Sequence, residues 1–324
     1  MGEKKPDLSL IQTPFSARPL YSETLIYATY YAPRGRQRLY MLGAELSRRY
    51  LYPSDLLIGI IGAEGSGKST LIKGLFPGLE LTNDDDGVNL RPAQIYGFSP
   101  EDYFAPHTFH VDARYERAFK QSWQIVEAVT NAVSHGRRVI IEHFDLLYGS
   151  LGYNAQILFA VGEEVIVARP SVFGPFPAAL KDVVDRTIKY RLMAHSAEDI
   201  TGFVLSKDYG YRIPVHHSDV KHGFIISFQE PPDIDLADLE ARVLELIARD
   251  VPISPAGEDR ISIGGEQIPC TGTRTHVKRS GQIENFRLLK EFRYHPILRE
   301  YMLVGTVGRN EPAGYEEITR VPEL

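Results

Sequence analysis

Residues 62–69 read Gly62-Ala63-Glu64-Gly65-Ser66-Gly67-Lys68-Ser69, and they fill every defined position of the phosphate-cradling pattern G-x-x-x-x-G-K-[S/T]. The chemistry explains the residue types. Glycines let the chain wrap so that successive backbone N–H groups point at phosphate oxygens, and the helix that follows turns its positive end to the same anion. Lys68 would neutralise β/γ charge, and the Ser69 hydroxyl, followed by Thr70, would ligate magnesium. A short apolar run, residues 56–61, leads into the motif as a buried strand would, and residues 68–75 read as a helix stopped by Pro77-Gly78. Strand, glycine loop and helix in that order specify a site for a nucleoside triphosphate, ATP or GTP, with magnesium.

Outward from the motif, residues 25–31 read as a strand and residues 38–50 as a helix, with Leu39, Leu42, Leu46 and Tyr50 at helical spacing. Residues 79–82 read as a second strand running into Asp84, Asp85 and Asp86. Asp112 caps a helix over 113–134 with an apolar stripe that includes Phe119 and Trp123. Residues 139–141, 157–159 and 165–167 read as further strands, and a long helical pattern covers 178–205. This alternation predicts an α/β fold: a parallel sheet flanked by helices, followed by a smaller α+β unit. The expected division is an arm and helix over 1–50, a nucleotide-binding domain over 51–185, and an α+β domain over 186–324.

Such a site needs an acidic partner for the metal at the end of a neighbouring strand. Glu142 directly follows the strand 139–141, and Asp145 three residues on reads equally as a helix cap. The Asp84–Asp86 cluster would face the ligand crevice, where one aspartate could take a proton from an acceptor or hold magnesium through water; its alternative reading is a solvated acidic turn.

Bulk properties narrow the partners. A net charge of −6 argues against non-specific nucleic-acid binding, so Arg34, Arg36 and Arg38 read as a solvated helix start. No apolar run approaches the ~20 residues that span a bilayer. One cysteine, Cys270, excludes an internal disulfide and fits a reducing cytoplasm. Oligomeric state is left open.

Arg138-Val139-Ile140-Ile141-Glu142-His143-Phe144-Asp145, with the strands that follow, resembles part of the uridine kinase/phosphoribulokinase group of P-loop kinases. That resemblance implies kinase-like phosphoryl transfer, with a substrate-side aspartate among Asp84–Asp86 and a substrate loop at Phe109-His110-Val111-Asp112. It also implies a lid contact to phosphate from Arg169. His143 stands where the group usually has glycine.

Cys270 and the segments Thr275-His276-Val277, Ser280-Gly281-Gln282-Ile283, Phe286-Arg287 and Glu291 resemble the second additional domain of alanyl- and threonyl-tRNA synthetases, which hydrolyses mischarged tRNA. That family binds zinc through H-x-x-x-H on a helix plus C-x-x-x-H. The resemblance implies ligands at His195 and Cys270, with His276 two residues late and Arg191 in place of the first histidine. Either zinc is retained, with His216, His217 or His222 as a substitute ligand, or the site is a degenerate cleft in which Arg191 holds a carboxylate or phosphate. Three readings follow: a kinase-like phosphotransferase or NTPase acting on a small molecule or tRNA-related ligand, a zinc-dependent aminoacyl-tRNA deacylase governed by nucleotide, and a non-catalytic nucleotide switch.

Overall fold

The apolar run before the glycine motif forms strand β2 (Leu57–Gly62), buried at every position, in a computed structural model that describes residues 25–82, 92–102, 104–211 and 217–309. A strand buried on both faces must be covered on both sides. On one side, α1 (Arg36–Tyr50) and α2 (Lys68–Leu75) pack through Leu39, Leu46, Leu71 and Ile72. On the other lie α4 (Ser122–Ser134), α5 (Asp145–Leu151) and the start of α6 (Pro177–Asp208). Helices α1 and α2 cross at glycines: a Cβ on Gly74 would lie 2.2 Å from the Tyr40 carbonyl oxygen, and one on Gly43 2.6 Å from that of Leu71.

The six-stranded sheet runs β1-β6-β5-β2-β4-β3. Strands β3 (Thr108–Asp112), β4 (Arg138–Glu142), β2 and β5 (Ile157–Val161) are mutually parallel, whereas β6 (Glu164–Ala168) and β1 (Tyr27–Tyr31) add antiparallel pairings at one edge. The sheet is therefore mixed, where the alternation of elements predicts a parallel one. Only Gly162 and Glu163 join β5 to β6, a link too short for the crossover a parallel neighbour requires.

Three further expectations are corrected. Residues 79–82 form no strand. Thr82 instead docks beside β3, its N–H donating to His110 Nδ1 (3.0 Å) and its hydroxyl to the His110 carbonyl (2.9 Å). The segment matched to a substrate loop, Phe109 to Asp112, is that edge strand. The helix expected over 113–134 is two, α3 (Ala113–Glu116) and α4, separated by a turn and restarted by a capping box between Gln121 and Gln124. Phe119 and Trp123 are consequently exposed, at 70% and 64%, and Ile125, Val129, Ala132 and Val133 form the buried stripe.

Helix α6 is 32 residues long, about 48 Å at 1.5 Å per residue, and serves two cores. Leu180 and Val184 belong to the first. Met193, Ala197, Ile200 and Val204 belong to a second, built on β8 (Gly223–Phe228), β14 (Glu300–Thr306) and α7 (Leu236–Ala248). In that sheet β8 pairs antiparallel with β14 and with β7 (His217–Val220), and β12 (Arg287–Leu288) and β13 (Arg293–His295) also pair with β14. A small antiparallel sheet joins β9 (Ile253–Pro255), β10 (Arg260–Ile263) and β11 (Glu266–Pro269). Among the described residues, no helix is long and apolar enough to cross a membrane.

Of the arginines at the start of α1, Arg36 is exposed as expected, whereas Arg34 is buried and Arg38 is held in an ion pair. Arg34 is 6% exposed; its Nε donates to Glu198 Oε2 (2.9 Å), and its Nη1 donates to the Gly223 carbonyl and lies 3.0 Å from Asp219 Oδ1. Arg38 donates to the other oxygen of Asp219 at 2.7 Å. The start of α1 is thereby pinned to α6 and to the β7–β8 hairpin.

A second junction joins Glu163 to His222, whose backbone N–H donates to Glu163 Oε1 (2.5 Å) and whose Nε2 lies 3.4 Å from Oε2. Burial pushes the Glu163 carboxyl up to about 7, and burial with nearby Arg309 and Lys221 holds His222 down to about 4. Between those values both groups are neutral. The folded chain keeps a proton on Glu163 that the unfolded chain releases near its ordinary 4.5, so this contribution is complete below pH 4.5 and is lost as pH rises through 7. Glu163→Gln keeps the acceptor and removes the ionisation. It is expected to raise stability at pH 8 by up to about 3 kcal/mol and to change little at pH 4.5, read as the difference in thermal midpoint from wild type.

Candidate functional site

Strands β2, β4 and β3 end side by side in Gly62, Glu142 and Asp112. Their carboxyl ends and the start of α2 border a cavity of about 440 Å³, which Gly65, Gly67, Lys68, Ser69 and Thr70 line from the glycine loop. The loop needs its glycines. Gly62, Gly65 and Gly67 have φ of 149°, 73° and 88°, and a Cβ on Gly67 would lie 2.5 Å from Leu39 Cδ2.

Lys68, 5% exposed, donates from Nζ to the Ala63 carbonyl (2.8 Å) and lies 3.5 Å from Glu142 Oε1. His110 takes the Thr82 N–H on Nδ1, so its proton sits on Nε2, which faces Glu142 Oε2 at 3.5 Å. Burial alone would push the Glu142 carboxyl up, but His110 and Lys68 together hold it at about 2. Glu142 is therefore ionised at neutral pH, as a carboxylate able to hold a cation must be. His143 beside it lines the cavity with φ of 57°, a left-handed backbone that glycine would adopt without strain.

Asp112, expected as a helix cap and as the end of the segment resembling a substrate loop, reaches the cavity as well. Its Oδ1 accepts from the N–H groups of Arg114 and Tyr115 as the α3 cap (2.9 and 3.1 Å), and the same carboxylate borders the cavity. A strand ending in aspartate next to a helix start is legible in retrospect, but cap and crevice readings compete for the same side chain. Arg34, Arg36, Lys68, Lys73, Arg114, Arg191 and Arg274 line the cavity against Glu64, Asp112 and Glu142. A chain of net charge −6 has thus gathered cations around one concavity, an arrangement that favours an anionic ligand.

Other expected site residues stand elsewhere. The Asp84–Asp86 cluster lies outside the described residues. Arg169 follows β6, which runs antiparallel, and so emerges at the opposite end of the sheet. There its guanidinium holds Asp55 in a fork (2.8 and 2.7 Å) over the Tyr52 ring, and it does not line the glycine-loop cavity. Asp145 is the first residue of α5, facing Lys181 at 3.9 Å, with Phe144 at the cap position.

The predicted ligands His195, Cys270 and His276 do converge, and a fourth donor joins them. Asp199, one turn after His195 on α6, completes a group whose ligand atoms all lie within 4.8 Å of one another. The spacing is thus H-x-x-x-D with C-x5-H, which the family pattern did not reveal. Cys270 Sγ lies 3.6 Å from His195 Nε2 and 3.7 Å from His276 Nε2; Asp199 Oδ2 lies 3.8 and 2.8 Å from the same two nitrogens. A tetrahedral zinc with bonds of about 2.3 Å to sulfur and about 2.0 Å to nitrogen has N···S edges of about 3.6 Å, so the donor set fits.

Hydrogen bonding sets the His195 tautomer. The Thr275 hydroxyl donates to the Gly272 carbonyl (2.7 Å) and must therefore accept from His195 Nδ1–H (2.7 Å), leaving the Nε2 lone pair aimed into the cluster. His276 Nδ1 is buried without a hydrogen-bond partner. Burial, and then His276, drives His195 well below the usual imidazole range, whereas the two histidines outweigh burial and hold Asp199 at about 2. Burial, and then Asp199, pushes the Cys270 thiol up. Without a cation the group is a neutral thiol and imidazole beside a carboxylate; a metal would turn the thiol into thiolate.

Arg191, in place of the family's first histidine, takes no part in the cluster. It is 2% exposed and points the other way, donating from Nη1 to the Ser66 and Gly162 carbonyls (2.5 and 3.4 Å) and from Nη2 to that of Pro33 (2.6 Å). It braces the glycine loop and also lines the cavity beside it. Of the substitute ligands considered, His222 stacks on Tyr190 at 3.7 Å instead, and His216 and the His217 side chain lie outside the described residues. Compared with known proteins, the chain matches no family model and no curated protein.

Proposed function

We propose that the chain is a P-loop protein that binds ATP or GTP with magnesium and transfers or hydrolyses the terminal phosphoryl group. The observation that carries this reading is the buried Lys68–Glu142 pair at the head of α2, in a cavity walled by cations. Ser69 and Glu142 would hold magnesium, which supplies charge neutralisation on the phosphates. Lys68 releases the Ala63 carbonyl to meet phosphate oxygens. Asp112 stands where an acceptor hydroxyl or water would be oriented, and the acceptor is a small molecule or a tRNA-related ligand.

Glu142→Gln tests the metal assignment. Losing its charge should weaken magnesium–ATP binding about tenfold, because the metal loses a ligand, and leave metal-free ATP binding equal or tighter, because a repelling carboxylate is gone. Calorimetric titration with and without magnesium reads both. Equal weakening in the two conditions would count against a metal role for Glu142.

Zinc at His195, Asp199, Cys270 and His276 is part of the same reading, in a structural capacity. Four protein donors fill a tetrahedron, whereas a hydrolytic zinc keeps one position for water. Asp199 therefore favours a closed site over an aminoacyl-tRNA deacylase centre. Elemental analysis should find one zinc per chain, and release of amino acid from mischarged tRNA would overturn the structural role.

A further inference from the structure

The loop between two of the cluster's ligands, residues 271–275, is also a wall of the glycine-loop cavity: Gly272, Thr273, Arg274 and Thr275 all line it. Cys270 and His276 hold its two ends. Its interior is tied to both sides. Toward the cluster, Thr275 Oγ1 and carbonyl accept from His195 Nδ1–H (2.7 and 3.1 Å), and the Gly272 N–H points at Cys270 Sγ (3.4 Å). Toward the nucleotide-binding half, the Thr271 carbonyl accepts from the Arg36 N–H (2.9 Å), a Cβ on Gly272 would lie 2.2 Å from the Arg34 carbonyl oxygen, and one on Gly65 3.6 Å from that of Arg274. The loop has no room to shift without disturbing either the cluster or the cavity.

We propose that this loop is a nucleotide-positioning wall supplied by the C-terminal half and held in place by the metal, so that zinc and the nucleoside triphosphate bind cooperatively. The inference rests on the nucleotide-binding reading above. Zinc locks the ends of the loop. The locked loop presents Thr273 and Arg274 at the cavity, and the bound triphosphate in turn favours the loop geometry that the four ligands require. Because such coupling is reciprocal, each ligand must tighten the other by the same factor, about tenfold for a shared wall. Thr275 acts through its neighbours as a positioning residue: its hydroxyl orients His195 and clamps Gly272 together.

The test uses the full chain. Magnesium–ATP and magnesium–GTP are titrated calorimetrically into zinc-loaded protein and into protein stripped with a chelator, with circular dichroism to verify the fold. In the reverse direction, zinc transfer from folded, loaded protein to a chromophoric chelator is followed to equilibrium with and without saturating nucleotide, which needs no stripped sample. The expected result is about tenfold weaker nucleotide binding after stripping, about tenfold tighter zinc retention against the chelator at equilibrium with nucleotide bound, and a coupling factor near one in Thr275→Val. Nucleotide binding that ignores zinc, with transfer that ignores nucleotide, would overturn the coupling and leave nucleotide binding standing. Failure of the loaded chain to bind either nucleotide would instead overturn the underlying reading and the coupling with it. A chain that holds no zinc defeats the coupling and the structural zinc with it, and leaves nucleotide binding standing.

Discussion

Lys68→Ala is expected to weaken nucleotide binding at least ~100-fold, because it removes the one cation of the glycine loop that is buried at the cavity. Lys68 now rests between the Ala63 carbonyl and Glu142, at 2.8 and 3.5 Å, so its burial is already compensated and nucleotide binding only exchanges partners. Alanine removes that partner and also leaves Glu142 facing phosphate as an unneutralised carboxylate. Both effects act in the same direction. A folded Lys68→Ala variant, verified by circular dichroism, that still binds ATP and GTP with wild-type affinity would sink the nucleotide-binding proposal.

The largest stability effect is expected at Arg34. Arg34→Met retains much of the apolar stem but strips the cation from Glu198 and Asp219, which the fold has buried around it. Breaking one side of a buried ionic cluster costs about 3–5 kcal/mol, since the remaining charges cannot recover their hydration. The pH dependence has a definite sign. Burial pushes Glu198 up to about 7 even with Arg34 opposing it, so without Arg34 the carboxyl is readily protonated in acid. Without that cation the carboxyl keeps its proton to still higher pH, so the loss should be largest at pH 8 and should level off below 7, where the wild-type carboxyl is itself protonated. Denaturant unfolding of wild type and variant at pH 8 and pH 5.5 measures both. An equal loss at the two pH values would mean that packing, and not charge, sets the cost.

The helices and strands nearest the glycine motif were legible because each depends on local periodicity. The expected helix 68–75 coincides with α2, and the expected strands 56–61 and 139–141 lie within one residue of β2 and β4. Glycine placement was equally readable, since G-x-x-x-x-G-K-S requires backbone conformations that only its own residues decide. Strand direction was not: β6 has the composition of a parallel strand and runs the other way, because the two-residue link to β5 outweighs composition. Arg169 was consequently assigned to the wrong end of the sheet. The exposed face of α4 was misread for a related reason: a helix broken between residues 116 and 122 resets the phase of its stripe.

The sequence by itself determined the glycine loop between β2 and α2, the strand ending in Glu142 and the candidate metal donors around Cys270, since motif, spacing and hydrophobic period are properties of neighbours along the chain. Only the tertiary structure decided what those residues meet. It turned Arg34 from a surface charge into a buried clasp, Arg191 from a lost ligand into a brace for the Ser66 carbonyl, and Asp199 from one more helical acid into the fourth donor of the cluster. It also placed the 271–275 loop against a glycine loop some two hundred residues earlier in the chain. The physical reason is the same in each case. A buried charge or ligand is defined by its partner, and these partners lie on segments brought together only by the packing of α6 across two cores.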